Sequence, residues 1–446
     1  MLRQVEGSQA VAEAVAHCRP EVICAYPISP QTHIVEALSR LVKSGTLKPC
    51  EYVNVESEFG AMSVAIGASA AGARAYTATA SQGLLFMAEA VYNAAGLGLP
   101  IVMTVANRAI GAPINIWNDH SDAMSQRDCG WLQLYAEDNQ EAADLHVQAF
   151  RIAEELSVPV MVCMDGFVLT HAFERIDVPE QGQVDAFLPP YEPRQVLDPA
   201  EPVSIGAMVG PEAFTEVRFL AHAKHLAALE LIPEVASAFA QEFGRDSGGL
   251  VRPYRLEGAQ TVVVALGSVL GTIKDTVDEL REEGGRVGVL GVTAFRPFPF
   301  DAVREALAGA RRVVVVERAL GVGAGGIVSA DVQVALAGRQ DARTGGHLAQ
   351  ADGQAARAGG HIAQSDGQGA QASGQAELSG GGQAVPGRGG PRVYTVVAGL
   401  GGRPVTKASL RAMLAEAVTD ALEPLTFLDL NTELLREFGV PVPRSG

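Results

Sequence analysis

Six short stretches of the chain hold groups able to do chemistry: Pro27-Ile28-Ser29-Pro30-Gln31-Thr32, Glu56-Ser57-Glu58, Thr79-Ala80-Ser81-Gln82-Gly83, Asn107-Arg108-Ala109, Asn118-Asp119-His120-Ser121-Asp122 and Asp165-Gly166-Phe167. A carboxyl such as Glu58 exchanges protons. A guanidinium such as Arg108 grips an anion bidentately, and a hydroxyl such as that of Ser29 adds a directed donor. Taken alone, the set marks a site without saying which one.

The elements that must position these groups are legible around them. The apolar runs Val22–Tyr26, Tyr52–Val55, Ala73–Ala78, Ile101–Ala106 and Pro159–Met164 read as buried parallel strands. Helical patterns at about Ser8–His17, Gln31–Lys43, Ser57–Ala71, Gln82–Ala95 and Asn139–Leu156 separate them. This alternation predicts a doubly wound α/β sheet, whose ligands bind beyond the carboxyl ends of the strands. The helix after Glu58 is nearly all small side chains (GAMSVAIGASAAGA) and is expected to be deeply buried.

The stretch 181–257 changes character: a Pro- and acid-rich segment, FLPPYEPRQVLDPAEP, reads as an extended linker, and a helix over about Pro211–Phe243 reads as a strap. A second α/β unit, 258–337 with 391–446, is predicted from strands at 261–266, 286–292, 312–317 and 393–400 and from helices through Glu283, over Asp301–Gly309 and over Thr406–Thr419. The insert 338–390 repeats with a 14-residue period, and ten of the fourteen positions match between ARTGGHLAQADGQA and ARAGGHIAQSDGQG. Each repeat offers about one Leu or Ile, too little to bury, so a disordered loop or loose hairpin is expected. His347 and His361 recur there as two isolated imidazoles, a poor metal site, and no metal is expected on this chain.

Composition narrows the function. The formal net charge of -17 disfavours nucleic acid and an anionic membrane surface as partners. The five cysteines, Cys18, Cys24, Cys50, Cys129 and Cys163, form no CxxC pair, so they read as buried small hydrophobes rather than cluster ligands. No apolar signal core and no run long enough to span a bilayer is visible, so a cytoplasmic location is expected. No GxGxxG opens a helix after a strand with an acid following, and no GxxxxGK[ST] loop is present, which disfavours nicotinamide and P-loop nucleotide sites. The stretch Gly321–Gly326 (GVGAGG) follows a strand but lacks the full fingerprint.

Several motifs together carry a resemblance. AYPISPQT (25–32), ESEFGAMSVAIGASAAGA (56–73), TATASQGLLFM (77–87), NRAIGAPINIWNDHSDAMSQRDCGW (107–131) and MDGFVLTH (164–171), followed by FLPPYEP (187–193), GSVLGT (267–272), FRPFP (295–299) and AGLGGRPVT (398–406), resemble the alpha subunit of the 2-oxoacid:ferredoxin oxidoreductases, the pyruvate enzyme above all. The resemblance implies a thiamine-diphosphate-enzyme pyrimidine-binding domain (1–180) and a transketolase C-terminal-like domain. It implies thiamine diphosphate shared with a beta subunit that carries the diphosphate and magnesium site, in keeping with the lack of a GDG motif here. It further implies gamma and ferredoxin-like delta subunits or domains with [4Fe-4S] clusters, coenzyme A as co-substrate and ferredoxin as electron acceptor.

Residue by residue, Glu58 matches the family's activating glutamate, which shares a proton with N1′ of the aminopyrimidine and so favours the imino tautomer. Glu56 is the rival carboxylate, and the motif register favours Glu58. Ser29, where Thr is usual, and Arg108 match the contacts to the substrate carboxylate. Tyr26, Pro27, Ile28, Ser81 and Gln82 match positions beside the cofactor, with Ser81 also placed to cap its helix. Asn118, Asp119 and His120 resemble the segment that lines the site, His120 as a proton shuttle or a subunit contact. FRPFP resembles a segment that shapes subunit contacts. The same machinery acting on oxalate or another small 2-oxoacid, a non-catalytic structural subunit, and a non-redox thiamine decarboxylase are the alternatives.

Overall fold

The structure, a computed structural model, describes residues 2–338 and 390–439. The repeat insert therefore lies outside the described residues, apart from Gly338 and Gly390 at its ends. The first half of the chain holds the strands β1 (Arg3–Glu6), β2 (Val22–Ala25), β3 (Glu51–Asn54), β4 (Ala75–Thr79), β5 (Val102–Asn107), β6 (Leu132–Tyr135), β7 (Val160–Asp165) and β8 (Phe173–Ile176). The second half holds β9 (Val251–Tyr254), β10 (Thr261–Ala265), β11 (Val287–Val292), β12 (Ala294–Arg296), β13 (Arg312–Glu317), β14 (Arg392–Val397) and β15 (Leu425–Phe427).

Strands β6-β7-β5-β4-β2-β3 form a parallel sheet in that order. Helices on both faces cover it, as the continuous apolar runs of β4, β5 and β7 require: every residue of these three strands is buried. The second sheet runs β15-β14-β13-β10-β11-β9, parallel except for β9. The two sheets share a core. One apolar cluster includes Met62, Leu84, Met103 and Trp131 of the first unit with Val264, Leu290, Phe295 and Val315 of the second.

Two segments depart from the sequence reading because tertiary pairing overrides local pattern. Phe295 and Arg296, within the FRPFP motif, belong to β12, which crosses to the first sheet and pairs antiparallel with β6. Val251–Tyr254, read as linker, is the edge strand of the second sheet, paired with β11. Within that linker Gln181–Phe187 is helical, started by a capping box between Glu180 and Gln183. The single helix expected over Gln82–Ala95 is two, Ser81–Phe86 and Ala88–Gly96, broken at Met87. Helix Asn139–Leu156 keeps the expected bounds, with Asp138 capping Glu141 N–H at 2.8 Å.

The small-residue helix, Glu58–Ala70, is not deeply buried. Ala61, Met62, Ala65, Ser69 and Ala70 face the core, while Phe59, Ser63 and Gly67 face outward. Small side chains let its inner face approach the sheet, and its outer face is left bare. The strap helix, Phe214–Phe243, packs its C-terminal half through Ile232, Val235, Phe239 and Phe243, and Phe239 and Phe243 stack 4.1 Å apart. All five cysteines are free, and all but Cys50 are buried. Among the described residues no helix is long and apolar enough to cross a membrane.

Candidate active site

Because β2, β4, β5 and β7 run parallel and adjacent, the loops at their carboxyl ends meet along one edge. Glu58 opens its helix on that edge, just after Ser57, whose hydroxyl accepts the Gly60 N–H at 3.1 Å. Glu58 is 8% exposed, and its carboxyl has no hydrogen-bond partner among the described residues. Gly83 stands against it: a Cβ there would lie 2.7 Å from Glu58 Oε1 and 2.6 Å from Thr79 Oγ1. The glycine is what lets helix Ser81–Phe86 approach the carboxyl. Glu56 differs on both counts, being exposed and accepting the Ser57 hydroxyl at 3.3 Å. The buried, unpartnered carboxyl is the one suited to a ligand.

Ser29 and Arg108 are brought together. Arg108 Nη1 donates to the Ser29 carbonyl at 2.9 Å and Nε to the Asn115 carbonyl at 3.1 Å. The Ser29 side chain is exposed beside it. Burial pushes the Arg108 guanidinium below its ordinary value, and Asp122 partly restores it.

Asp122 is the residue that joins the loops. Its Oδ2 accepts the backbone N–H groups of Ser81 and Arg108, each at 2.9 Å, and its Oδ1 accepts Asn107 Nδ2 at 2.9 Å and Ala123 N–H at 2.8 Å. Burial pushes its carboxyl up to about 6, against the pull of these donors. Ser81 does not cap its helix. Ala80 occupies the cap position, and Ser81 itself is left-handed (φ 49°), with its hydroxyl donating to the Ala109 carbonyl at 2.5 Å. Backbone strain of this kind concentrates at ligand sites. Gln82 is half-buried, and a Cβ on Gly111 would lie 2.6 Å from its Nε2. Tyr26 and Pro27 are exposed and Ile28 half-buried, the Tyr26 carbonyl accepting Gln31 Nε2 at 3.1 Å.

Asn118, Asp119 and His120 each reach the second unit. Arg318 Nη2 donates to the Asn118 carbonyl at 3.3 Å, Gly401 N–H to Asp119 Oδ2 at 3.0 Å, and His120 N–H to the Arg318 carbonyl at 2.8 Å. The His120 ring is 1% exposed and lies 2.9 Å from Asp165 Oδ1. Asp165 also accepts the Ser268 hydroxyl, and Ser268 N–H at 2.8 Å. Burial alone would raise the Asp165 carboxyl; Arg318 and His120 beside it reverse this and hold it well below the usual carboxylate range. Ser268 and Arg318 were not singled out from sequence. Ser268 lies within the GSVLGT motif, and each residue follows, or nearly follows, the end of a strand of the second sheet.

The GVGAGG turn holds no open anion site. Both Glu317 carboxylate oxygens accept the N–H groups at the start of helix Val328–Leu336, from Ile327 (2.6 Å), Val328 (2.9 Å) and Ser329 (2.9 Å). A protein carboxylate already occupies the place a phosphate would take.

The residues fit half of a thiamine diphosphate. An orphaned carboxyl under a glycine suits a ring nitrogen that shares a proton, and among the described residues the edge offers no cluster of cations for a diphosphate. Rings stand exposed beside Glu58: Phe59 at 39% and Phe86 at 61%, their centroids 6.5 Å apart.

Comparison with known proteins agrees with this geometry. Residues 13–237 match the family model described as pyruvate flavodoxin/ferredoxin oxidoreductase, thiamine diP-bdg, and residues 259–358 match pyruvate:ferredoxin oxidoreductase core domain II. The chain is 53% identical over 321 residues to pyruvate synthase subunit PorA of Methanosarcina barkeri, covering 72% of this chain and 80% of that one. It is 40% identical over 333 residues to ketoisovalerate oxidoreductase subunit VorA of Pyrococcus horikoshii, covering 74% and 84%. In fold it resembles the 2-oxoglutarate:ferredoxin oxidoreductase of Magnetococcus marinus, with TM-score 0.64 and 17% identity, over 94% of this chain and 65% of that larger one. The chain belongs to the pyruvate flavodoxin/ferredoxin oxidoreductase family, whose thiamine-diphosphate-binding model covers the unit that carries Glu58.

Proposed function

We propose that this chain is the alpha-type subunit of a pyruvate:ferredoxin oxidoreductase. With its partners it converts pyruvate and coenzyme A to acetyl-CoA and CO2, and the electron pair passes to ferredoxin. The observation that carries the reading is Glu58, a buried carboxyl without a partner among the described residues at the edge where the strand-end loops converge. Thiamine diphosphate, when bound, supplies the carbon nucleophile and electron sink that decarboxylation needs. Glu58 holds a proton at N1′ of its pyrimidine. Ser29 Oγ and the Arg108 guanidinium hold the substrate carboxylate until CO2 leaves. Tyr26, Pro27, Ile28, Ser81 and Gln82 shape the wall around the pyrimidine. Asn118, Asp119 and His120 support that wall by fastening the two units together.

A division of labour among subunits is part of the same reading. Magnesium and the diphosphate belong to a beta subunit, and the [4Fe-4S] clusters to gamma and delta partners or domains. The exposed Phe59 and Phe86 support a partner chain that closes over this edge and excludes water. The pyrimidine-binding unit is assigned to residues 1–180 and the second unit to 258–337 with 391–446, in the cytoplasm.

The test is reconstitution of the complex with Glu58→Gln and measurement of pyruvate-dependent reduction of a viologen dye. Loss of turnover supports the reading, and unchanged turnover removes it. The ketoisovalerate relative favours one second reading, a branched 2-oxoacid as substrate. Relative kcat/KM across a panel of 2-oxoacids separates the two.

A further inference from the structure

Beside the edge just described, and separate from the groups assigned to the reaction, Glu6, His33 and His171 meet on the surface of the first unit. One donor atom from each lies within 4.8 Å of the others. We propose that these three side chains form a binding site for a divalent transition-metal ion, with Zn2+ the best match, two imidazoles and one carboxylate leaving a fourth position for water.

Donor type supports the ion class. Imidazole with carboxylate suits zinc and its neighbours rather than calcium or magnesium, which take oxygen ligands. Around a shared Zn2+ the donor atoms stand about 3.3–3.5 Å apart, given bonds of about 2.0–2.2 Å. Glu6 Oε1 and His33 Nδ1 are 2.6 Å apart, and the two imidazole rings lie tilted by 35° with centroids 4.5 Å apart. Small side-chain rotations bring all three donors to a common ion.

The backbone holds the donors in place beforehand. Glu6 ends β1, where it pairs with Phe173 of β8, two residues beyond His171. Beyond that pair, Gly7 N–H bonds the Ala172 carbonyl at 3.0 Å, and Ser8 N–H bonds the Thr170 carbonyl at 2.9 Å. The His171 ring is oriented by a 2.7 Å hydrogen bond between Nδ1 and Thr170 Oγ1. A fixed second partner of this kind is what metal-bound histidines ordinarily have. His33 lies in the first turn of helix Thr32–Lys43, which is anchored by Gln31 Nε2 on the Ala78 carbonyl at 2.7 Å.

The ion would fasten three segments distant in sequence. His33 lies four residues after Ser29, and His171 lies four after Phe167, whose ring contacts Trp117 at 5.0 Å. The site thus braces the turns that hold the candidate substrate contacts without touching the reaction.

The experiment is a Zn2+ titration of the metal-stripped full chain by calorimetry, with Co2+ absorbance as a second readout. One ion per chain is expected, with a tetrahedral-type Co2+ spectrum and a raised Tm. His33→Ala and Glu6→Gln are expected to weaken binding at least ~100-fold, because each removes a ligand and even outer-shell losses cost about 10- to 100-fold. Both residues are partly exposed, so these variants should fold, and circular dichroism checks it. The double variant His347→Ala/His361→Ala should bind as wild type does. The proposal is overturned by no saturable Zn2+ binding in the wild type. It is also overturned by unchanged affinity in His33→Ala, or by loss of binding in the double variant alone.

Discussion

Arg318, just past the end of β13 in the second sheet, places Nη1 3.1 Å from Oδ2 of Asp165, the last residue of β7 in the first. Both side chains are buried. The carboxyl edges of the two sheets therefore meet through a charged pair, with His120 and Ser268 completing its hydrogen bonds. Removing one partner strands the other charge. Asp165→Asn is expected to destabilise the chain by roughly 3–5 kcal/mol. Urea unfolding of the variant against wild type measures it, and a loss below about 1 kcal/mol contradicts the role.

Gly83 separates packing from chemistry. In an open helix position Gly→Ala stabilises by about 1 kcal/mol. Here the added Cβ lies 2.7 Å from Glu58 Oε1. Gly83→Ala should leave the fold intact, displace the Glu58 carboxyl and lower kcat at least ~10-fold. Parallel circular dichroism and turnover measurements check both halves of the prediction.

Asp122→Asn tests the loop junction. Four donors converge on this carboxylate, and an amide cannot accept from all of them. Leaving buried N–H groups unpaired costs about 1–3 kcal/mol. A fall in Tm together with a raised KM for pyruvate is expected, because Asp122 fixes the backbone of Arg108.

Arg108→Lys keeps the charge and loses the fork. A lysine cannot reach the Ser29 and Asn115 carbonyls and also face a carboxylate. KM for pyruvate should rise about 10- to 100-fold, a loss of roughly 1.4–2.8 kcal/mol, with a smaller effect on kcat.

Stability should depend on pH through Glu141. Burial pushes its carboxyl up to about 7, with Arg252 opposing, and Asp122 is raised to about 6. A raised carboxyl binds its proton more tightly in the folded state than in the unfolded one, where it titrates near 4. Its proton is therefore a stabiliser, lost as pH climbs from about 4 to about 7. Glu141→Gln should flatten that slope by about one proton, measured as Tm against pH in the full chain.

The sequence by itself determined much of this protein. Short continuous runs of buried-type residues between helical patterns read as parallel strands covered on both faces, so β2, β4, β5, β7, β10, β11 and β13 were legible within a residue or two. Their order of chemistry-bearing loops placed Ser29, Glu58 and Arg108 on one edge. Strands four residues or shorter without such runs, β1, β6, β8, β9, β12 and β15, were not legible, because their pairing is set by distant partners rather than by local pattern. The break at Met87 and the left-handed Ser81 were likewise invisible, since nothing in QGLLFM signals a stop.

Only the tertiary structure decided what each charged group does. His120 and Asp119 read from sequence as groups lining the site, and the fold adds that they fasten the second unit, because Arg318 and Gly401 arrive there from far along the chain. Glu317, plain in sequence, fills the helix terminus that GVGAGG advertises. Glu6, His33 and His171 carry no metal spacing along the chain; the pairing of β1 with β8 and the placement of helix Thr32–Lys43 put them together. Local pattern fixes which face of an element is apolar, whereas a charge takes its role from its nearest partner, and that partner is chosen by the fold.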